Sequence, residues 1–248
     1  MKYYIVLLLL LPGIMISRDN KFDYEFGGGF HYALFNYDAS FSKLNEIPNC
    51  CPQFNNGDGS GFSGFLFYQT KLSNKIKGQL RFGFTKFDAE FKSIENTFVS
   101  DNGNVIPGEI EHLIQADFSG IFIQPIVSYE LFNNINLHAG LDIDYLLSGD
   151  FFQVEQIVKP LDKGTFIDED DNNTKLRRRN EIEDAIPNLI SLQLGGLVGL
   201  SYDMKLSASG SYWLTPEVYY SFGFTDMADE TPWKTNGLFL GLSLKYSH

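Results

Sequence analysis

The feature that most constrains this chain is a side-chain period of two, repeated in run after run. In residues 236 to 246, Leu238, Leu240, Leu242, Leu244 and Tyr246 take every second place, with Gly241, Ser243 and Lys245 between them. That period places the two sets on opposite faces of a β-strand. The pattern recurs in Phe26, Phe30, Tyr32 and Leu34, in Ile76, Leu80, Phe82 and Phe84, and in Leu137, Leu141, Ile143 and Tyr145. It recurs again in Leu192, Leu194, Val198 and Leu200, and in Leu214, Val218, Tyr220 and Phe222. Two further strands, near 61–70 and 112–131, are less cleanly phased. Phe65 and Phe67 break the small face of the first, and Pro125 suits a bulge or irregular rung in the second.

Roughly eight strands result, many of ten residues or more. Soluble strands have a mode of about 5–6 residues, whereas strands crossing a bilayer need about 9–11. The connections alternate in length. Short ones fall at 71–75, 132–136 and 202–206, and long ones at about 36–60, 88–111, 148–187 and 225–235. Short inner turns and long outer loops characterise outer-membrane barrels. The predicted fold is all-β, an eight-stranded antiparallel up-and-down transmembrane β-barrel. The rival is an antiparallel sandwich.

Composition agrees. Lys and Arg number 19 against 31 Asp and Glu, a net charge of −12, which argues against a nucleic-acid partner. With 44% hydrophobic residues the chain has enough apolar surface to order itself. Lys2 followed by the apolar run from Tyr3 to Ile16 reads as a signal peptide over residues 1–17, too short for a helical span of about 20 residues. Residues 18–248 form the predicted barrel domain.

The alternation assigns the faces. Leu, Ile, Phe and Tyr face lipid, with Tyr24, Tyr129, Tyr202 and Tyr246 at the inner girdle and Tyr145, Tyr220 and Phe222 at the outer one. Side chains fill a barrel of about eight strands. The expected lumenal charges are Glu25, Lys77, Arg81, Asp142, Asp144, Glu217 and Lys245, and buried charges must pair. Glu25 and Lys245 lie where the first and last strands must meet.

Several stretches carry a family likeness: Asn49-Cys50-Cys51-Pro52 with Asn56-Gly57-Asp58-Gly59-Ser60-Gly61-Phe62, Phe152-Gln153-Val154-Glu155 with Pro160, Leu214-Thr215-Pro216-Glu217-Val218-Tyr219-Tyr220, and the final strand. In these the chain resembles the OmpA-like and PorT-like outer-membrane β-barrel proteins of Gram-negative bacteria, of the Bacteroidetes–Ignavibacteria type. The resemblance implies an outer-membrane location and no catalytic signature. Relatives often carry a peptidoglycan-binding domain after the barrel. Here the last strand ends near His248, so that role is not carried over.

The remaining signals are sparse. Adjacent Cys50 and Cys51 in the first outer loop leave open a vicinal disulfide, free thiols or bonds to another chain. Asp168-Glu169-Asp170-Asp171-Asn172-Asn173 fails the EF-hand spacing, because Asn173 and Arg179 stand where Gly and Glu are needed. With Arg177-Arg178-Arg179 it reads as a solvated loop facing lipopolysaccharide or divalent ions. No cofactor or metal is expected. The leading functional reading is a non-catalytic barrel that acts through its outer loops, with membrane lipid and lipopolysaccharide around it and an unidentified extracellular or periplasmic protein partner. The alternatives are a narrow solute or ion pore, and an outer-membrane enzyme using His31 or His112 with Glu109, Glu111 or Ser40. A soluble secreted lipid-binding barrel is the remaining rival.

Overall fold

A computed structural model describes residues 24–44, 53–167, 176–207, 211–229 and 231–247. The predicted signal peptide, Cys50, Cys51, the Asp168–Asn173 run and His248 lie outside the described residues. Among the described residues ten strands occur in order: β1 (Tyr24–Phe41), β2 (Phe54–Lys71), β3 (Ile76–Asp101), β4 (Asn104–Phe132), β5 (Ile135–Lys159), β6 (Arg178–Ala185), β7 (Leu192–Tyr202), β8 (Met204–Lys205), β9 (Tyr212–Gly223) and β10 (Trp233–Ser247). Eight of them, β1 to β5 with β7, β9 and β10, pair in an antiparallel ring. β10 pairs with both β9 and β1, the latter from Glu25–Ser247 to Ala39–Trp233, so the sheet closes on itself. β6 adds to the far end of β5, and the two-residue β8 pairs with β9.

The alternation has opposite polarity in the two halves of the ring. In the lower half the outward residues are apolar and exposed, among them Phe30, Tyr32, Leu66, Phe82, Leu141 and Leu242, while the inward set includes His31, Gln79, Arg81, His138 and Lys245. On β1 the outward series passes from Leu34 to Asn36 and Asp38, and the inward series becomes Phe35, Tyr37 and Phe41. β3 changes between Phe84 and Lys86, after which Phe87 and Phe91 face in. β4 changes between Ile121 and Ser119, and β10 between Leu238 and Asn236. Above this height the barrel is built like a soluble protein around an aromatic core. Trp233 is its centre, with ring centroids of Phe91 at 4.8 Å, Phe118 at 5.6 Å and Tyr37 at 5.9 Å. Burial, with Asp88 second, pushes the Tyr37 phenol well above its usual range, and its hydroxyl donates to the Asp88 carbonyl.

Three expectations need correction. Residues 88–111 are not a long loop, because β3 and β4 run on to a two-residue turn. Asn102 and Gly103 there have φ of 51° and 87°, the geometry that favours Asn-Gly in a hairpin. Similarly, half of 148–187 is strand, in β5 and β6, rather than loop. The third inner connection is longer than 202–206: β7 ends at Tyr202, β9 starts at Tyr212, and Leu206 falls between them. Of the bulge or irregular rung expected at Pro125, the structure shows the irregular rung. The rungs Ile123–Ile143 and Ile126–Gly140 keep one register on either side of it, and only the intervening rungs are missing.

The aromatic core makes a stability prediction. Trp233→Ala removes a fully buried indole, which costs about 3–5 kcal/mol. The urea midpoint of the folded barrel in vesicles should fall accordingly, with the lipid-facing belt untouched.

Candidate functional site

The inward face of the lower barrel collects its polar residues into two tiers. The lower tier closes the seam. Lys245 on β10 lies 2.6 Å from Asp203 and 3.6 Å from Glu25 on β1, and Lys77 on β3 reaches Glu25 at 3.3 Å. Thr215 donates to the second oxygen of Asp203 at 2.8 Å. The sequence places Asp203 in the 202–206 turn, and the pairing of β7, β9 and β10 brings it to this cluster.

The middle tier is drier. Arg81 and Glu217 are both buried and meet at 2.7 Å. The other Glu217 oxygen accepts from His31 Nε2 at 2.7 Å, and Arg81 also donates to the Tyr219 hydroxyl at 2.8 Å. The guanidinium carbon lies between two rings, 4.6 Å from the centroids of both Phe65 and Tyr219. Phe65 and Phe67, which interrupted the small face of β2, therefore fill the lumen against Phe122 and cover the arginine. Gly241 makes room for the imidazole: a Cβ there would stand 2.0 Å from His31 Cδ2. His138 shares hydrogen bonds with Ser128 at 2.7 Å and Ser201 at 2.8 Å. The sequence did not single out His138 or Tyr219. Tyr219 lies in an aromatic run whose neighbours face lipid, so only its odd-numbered position marks it as inward.

Asp142 and Asp144 stand above this network. They front a cavity of about 60 Å³, room for a few waters, below the aromatic core. Phe35, Phe87, Phe239 and Met227 form its apolar wall, and Thr85 and Ser221 are among its polar groups. Gln124 donates to Asp142 at 2.8 Å and Ser221 to its other oxygen at 2.7 Å.

The two histidines of the enzyme reading do not meet. His31 is in the lumen with Glu217 rather than near the outer rim. His112 is in the outer half, 3.1 Å from Glu95 and 3.8 Å from Glu155. Glu109 and Glu111 are engaged instead by Lys159 and Gln156, and the backbone of Ser40 bonds to Pro232. Among the described residues no group of three or more potential ligands is placed to hold a metal.

The reading of Arg177 and Arg179 as solvated is also corrected, whereas Arg178 is exposed beside Glu181. Arg177 gathers the carbonyls of Ile157 at 2.9 Å, Pro160 at 2.7 Å, and Lys163 and Gly164. Arg179 bonds the fully buried Glu155 at 2.7 Å and stacks over Phe166 at 4.1 Å. The two arginines clamp the third outer segment onto the sheet.

Arg81→Leu leaves Glu217 buried without its strongest partner, a change that costs about 3–5 kcal/mol. The double variant Arg81→Leu, Glu217→Leu should cost less than the single one, because no uncompensated charge remains. Urea titration of both in vesicles checks the order.

No family model matches the sequence, and no curated protein matches it. Among solved structures, the chain is similar to Ail, the attachment invasion locus protein of Yersinia pestis, at 12% identity and a TM-score of 0.35, with 90% of this chain and 98% of that one covered. It is similar to the outer membrane protein OprG from Pseudomonas aeruginosa at 12% identity and 0.37, covering 92% and 96%. It is also similar to Neisserial surface protein A at 9% identity and 0.33, covering 89% and 96%.

Proposed function

We propose that this chain is an integral β-barrel of the outer membrane that serves as a closed, non-catalytic anchor for a cell-surface structure. The observation that carries the reading is the change of polarity at one height around the ring. A greasy outer wall with ionic residues inside suits hydrocarbon, and a polar outer wall with an aromatic core suits water. The boundary between the two halves is where the membrane surface would lie.

The part beyond that boundary is large. β3 continues from Lys86 to Asp101, roughly 50 Å of strand at about 3.3 Å per residue. Its first residues, to Phe91, still belong to the ring and its core, and beyond them β3 is paired by β4 and no longer by β2, in a sheet continued by β5 and β6. Ile94, Phe98 and Val105 lie exposed on it, at 50%, 62% and 64%. Exposed apolar residues grouped on a projecting element suit contact with another macromolecule. The filling of the lumen favours an anchor over a pore: the ion pairs around Arg81 block the middle, and the core around Trp233 blocks the top.

Two measurements test this. An epitope inserted between Asn102 and Gly103 should be labelled on intact cells, with the protein heat-modifiable on gels and fractionating with the outer membrane. Recovery in the soluble fraction, or labelling only after permeabilisation, would defeat the reading. The purified barrel in planar bilayers should show no steady conductance, and a stable open level would favour a channel.

A further inference from the structure

The outer sheet buries one histidine between two carboxylates. His112 on β4 lies across from Ser93 on β3 and Glu155 on β5. It is 2% exposed, and Glu155 is 0% exposed. Its Nε2 stands 3.1 Å from Glu95 Oε2 on β3, and its Nδ1 stands 3.8 Å from Glu155 Oε1. Nδ1 is buried and has no hydrogen-bond partner among the described residues. Glu155 is held from its other side by β6, where Arg179 donates to Oε2 at 2.7 Å and Asn180 to Oε1 at 2.9 Å. Ile114 lies in the apolar cluster below this row, and Ile110, Ile157 and Phe166 lie in the one above it. The other charged groups of these strands are engaged elsewhere. Glu109 and Glu111 meet Lys159 and Gln156, Lys92 meets Glu90, Lys163 meets Asp101, and Arg178 meets Glu181.

A neutral imidazole carries one N–H, and an ionised carboxylate only accepts. Whichever ring nitrogen of His112 holds the proton, the other turns a lone pair toward a carboxylate. Two carboxylates against one guanidinium also leave one negative charge unmatched in the row. A second proton on the ring removes both defects. We propose that His112 is a proton-operated latch of the outer sheet. Between neutral and mildly acidic pH it takes up a proton, donates from Nε2 to Glu95 and from Nδ1 to Glu155, and so ties β3 to β4 and β5. Through Glu155 the tie runs on to Arg179 and β6. Charge-assisted bonds of this kind are about twice as strong as neutral ones. A small movement of the carboxylate closes the 3.8 Å gap. The inference does not use the surface role proposed above, because it needs only that this part of the sheet stands in water.

A proton bound more tightly in the closed sheet than in the opened one slows opening on the acid side and not on the alkaline side. The full barrel is folded into detergent, and hydrogen exchange of β3 and β4 beyond Phe91 is followed by mass spectrometry. Rates are taken at about pH 7.5 and about pH 5.5, a window that spans the ordinary histidine value and lies above that of carboxylates. Each rate is divided by that of an unstructured peptide of the same sequence at the same pH. Corrected opening should slow roughly tenfold in acid, the effect of one pH unit of proton preference. His112→Gln should fold and show one corrected rate at both pH values. Glu95→Gln is diagnostic, because its amide donates to the ring lone pair and satisfies the neutral imidazole. It should protect the sheet at both pH values and shrink the pH effect, which a packing role for His112 does not predict. Equal corrected rates in the wild type overturn the inference, as does a pH effect that His112→Gln leaves intact. If His112→Gln does not fold, nitrogen-15 spectra of the histidine rings decide, with His112 identified by its change in Glu95→Gln. Two ring protons in acid and one at neutral pH support the latch, and one at both overturns it.

Discussion

A peptide group stripped of water and left without a partner costs several kcal/mol, so a sheet can enter hydrocarbon only when it has no edge. The other features of this molecule depend on that constraint. The eight-stranded ring meets it by joining β10 to β1 over their shared length. Once the backbone is satisfied, side chains on the two faces are free to differ completely. The same strands can then serve two solvents in succession, greasy outside in one half and greasy inside in the other.

The lower barrel was legible in the sequence because charge and period coincide there. Lys77, Arg81, Glu217 and Lys245 each interrupt an apolar series at an even spacing, and that alone places them inward. The outer half was misread for the same reason. In 86–92 the alternation is as strict as anywhere, but Lys86, Asp88, Glu90 and Lys92 face out while Phe87, Ala89 and Phe91 face in. Seen with the greasy-outside rule of the membrane half, such a segment resembles a loop. Its period was intact, and only its solvent had changed. His31 and Tyr219 were harder. Neither is an Asp, Glu, Lys or Arg that would stand out in an apolar series, and their roles emerge only where β1, β3 and β9 converge on Glu217.

Arg81 and Glu217 are costly to bury, and a well-packed apolar pair could replace them without loss of stability. Their surroundings suggest that they specify arrangement. The guanidinium is clamped between Phe65 and Tyr219 while its donors reach β9, so β2, β3 and β9 are fixed at one height across the lumen. A register slip of one residue on any of them would turn these groups outward into lipid.

The seam has a kinetic consequence. It joins Glu25 to Ser247, almost the whole described chain apart, whereas every other stave is laid beside its neighbour in sequence or nearly so. Hairpins can form early and cheaply, but an unclosed sheet of eight staves still has two raw margins and cannot settle in oil. Insertion is therefore tied to the slowest and most distant contact in the molecule. A nascent barrel must either wait at the water boundary or have its margins shielded by other machinery until both ends of the chain have arrived.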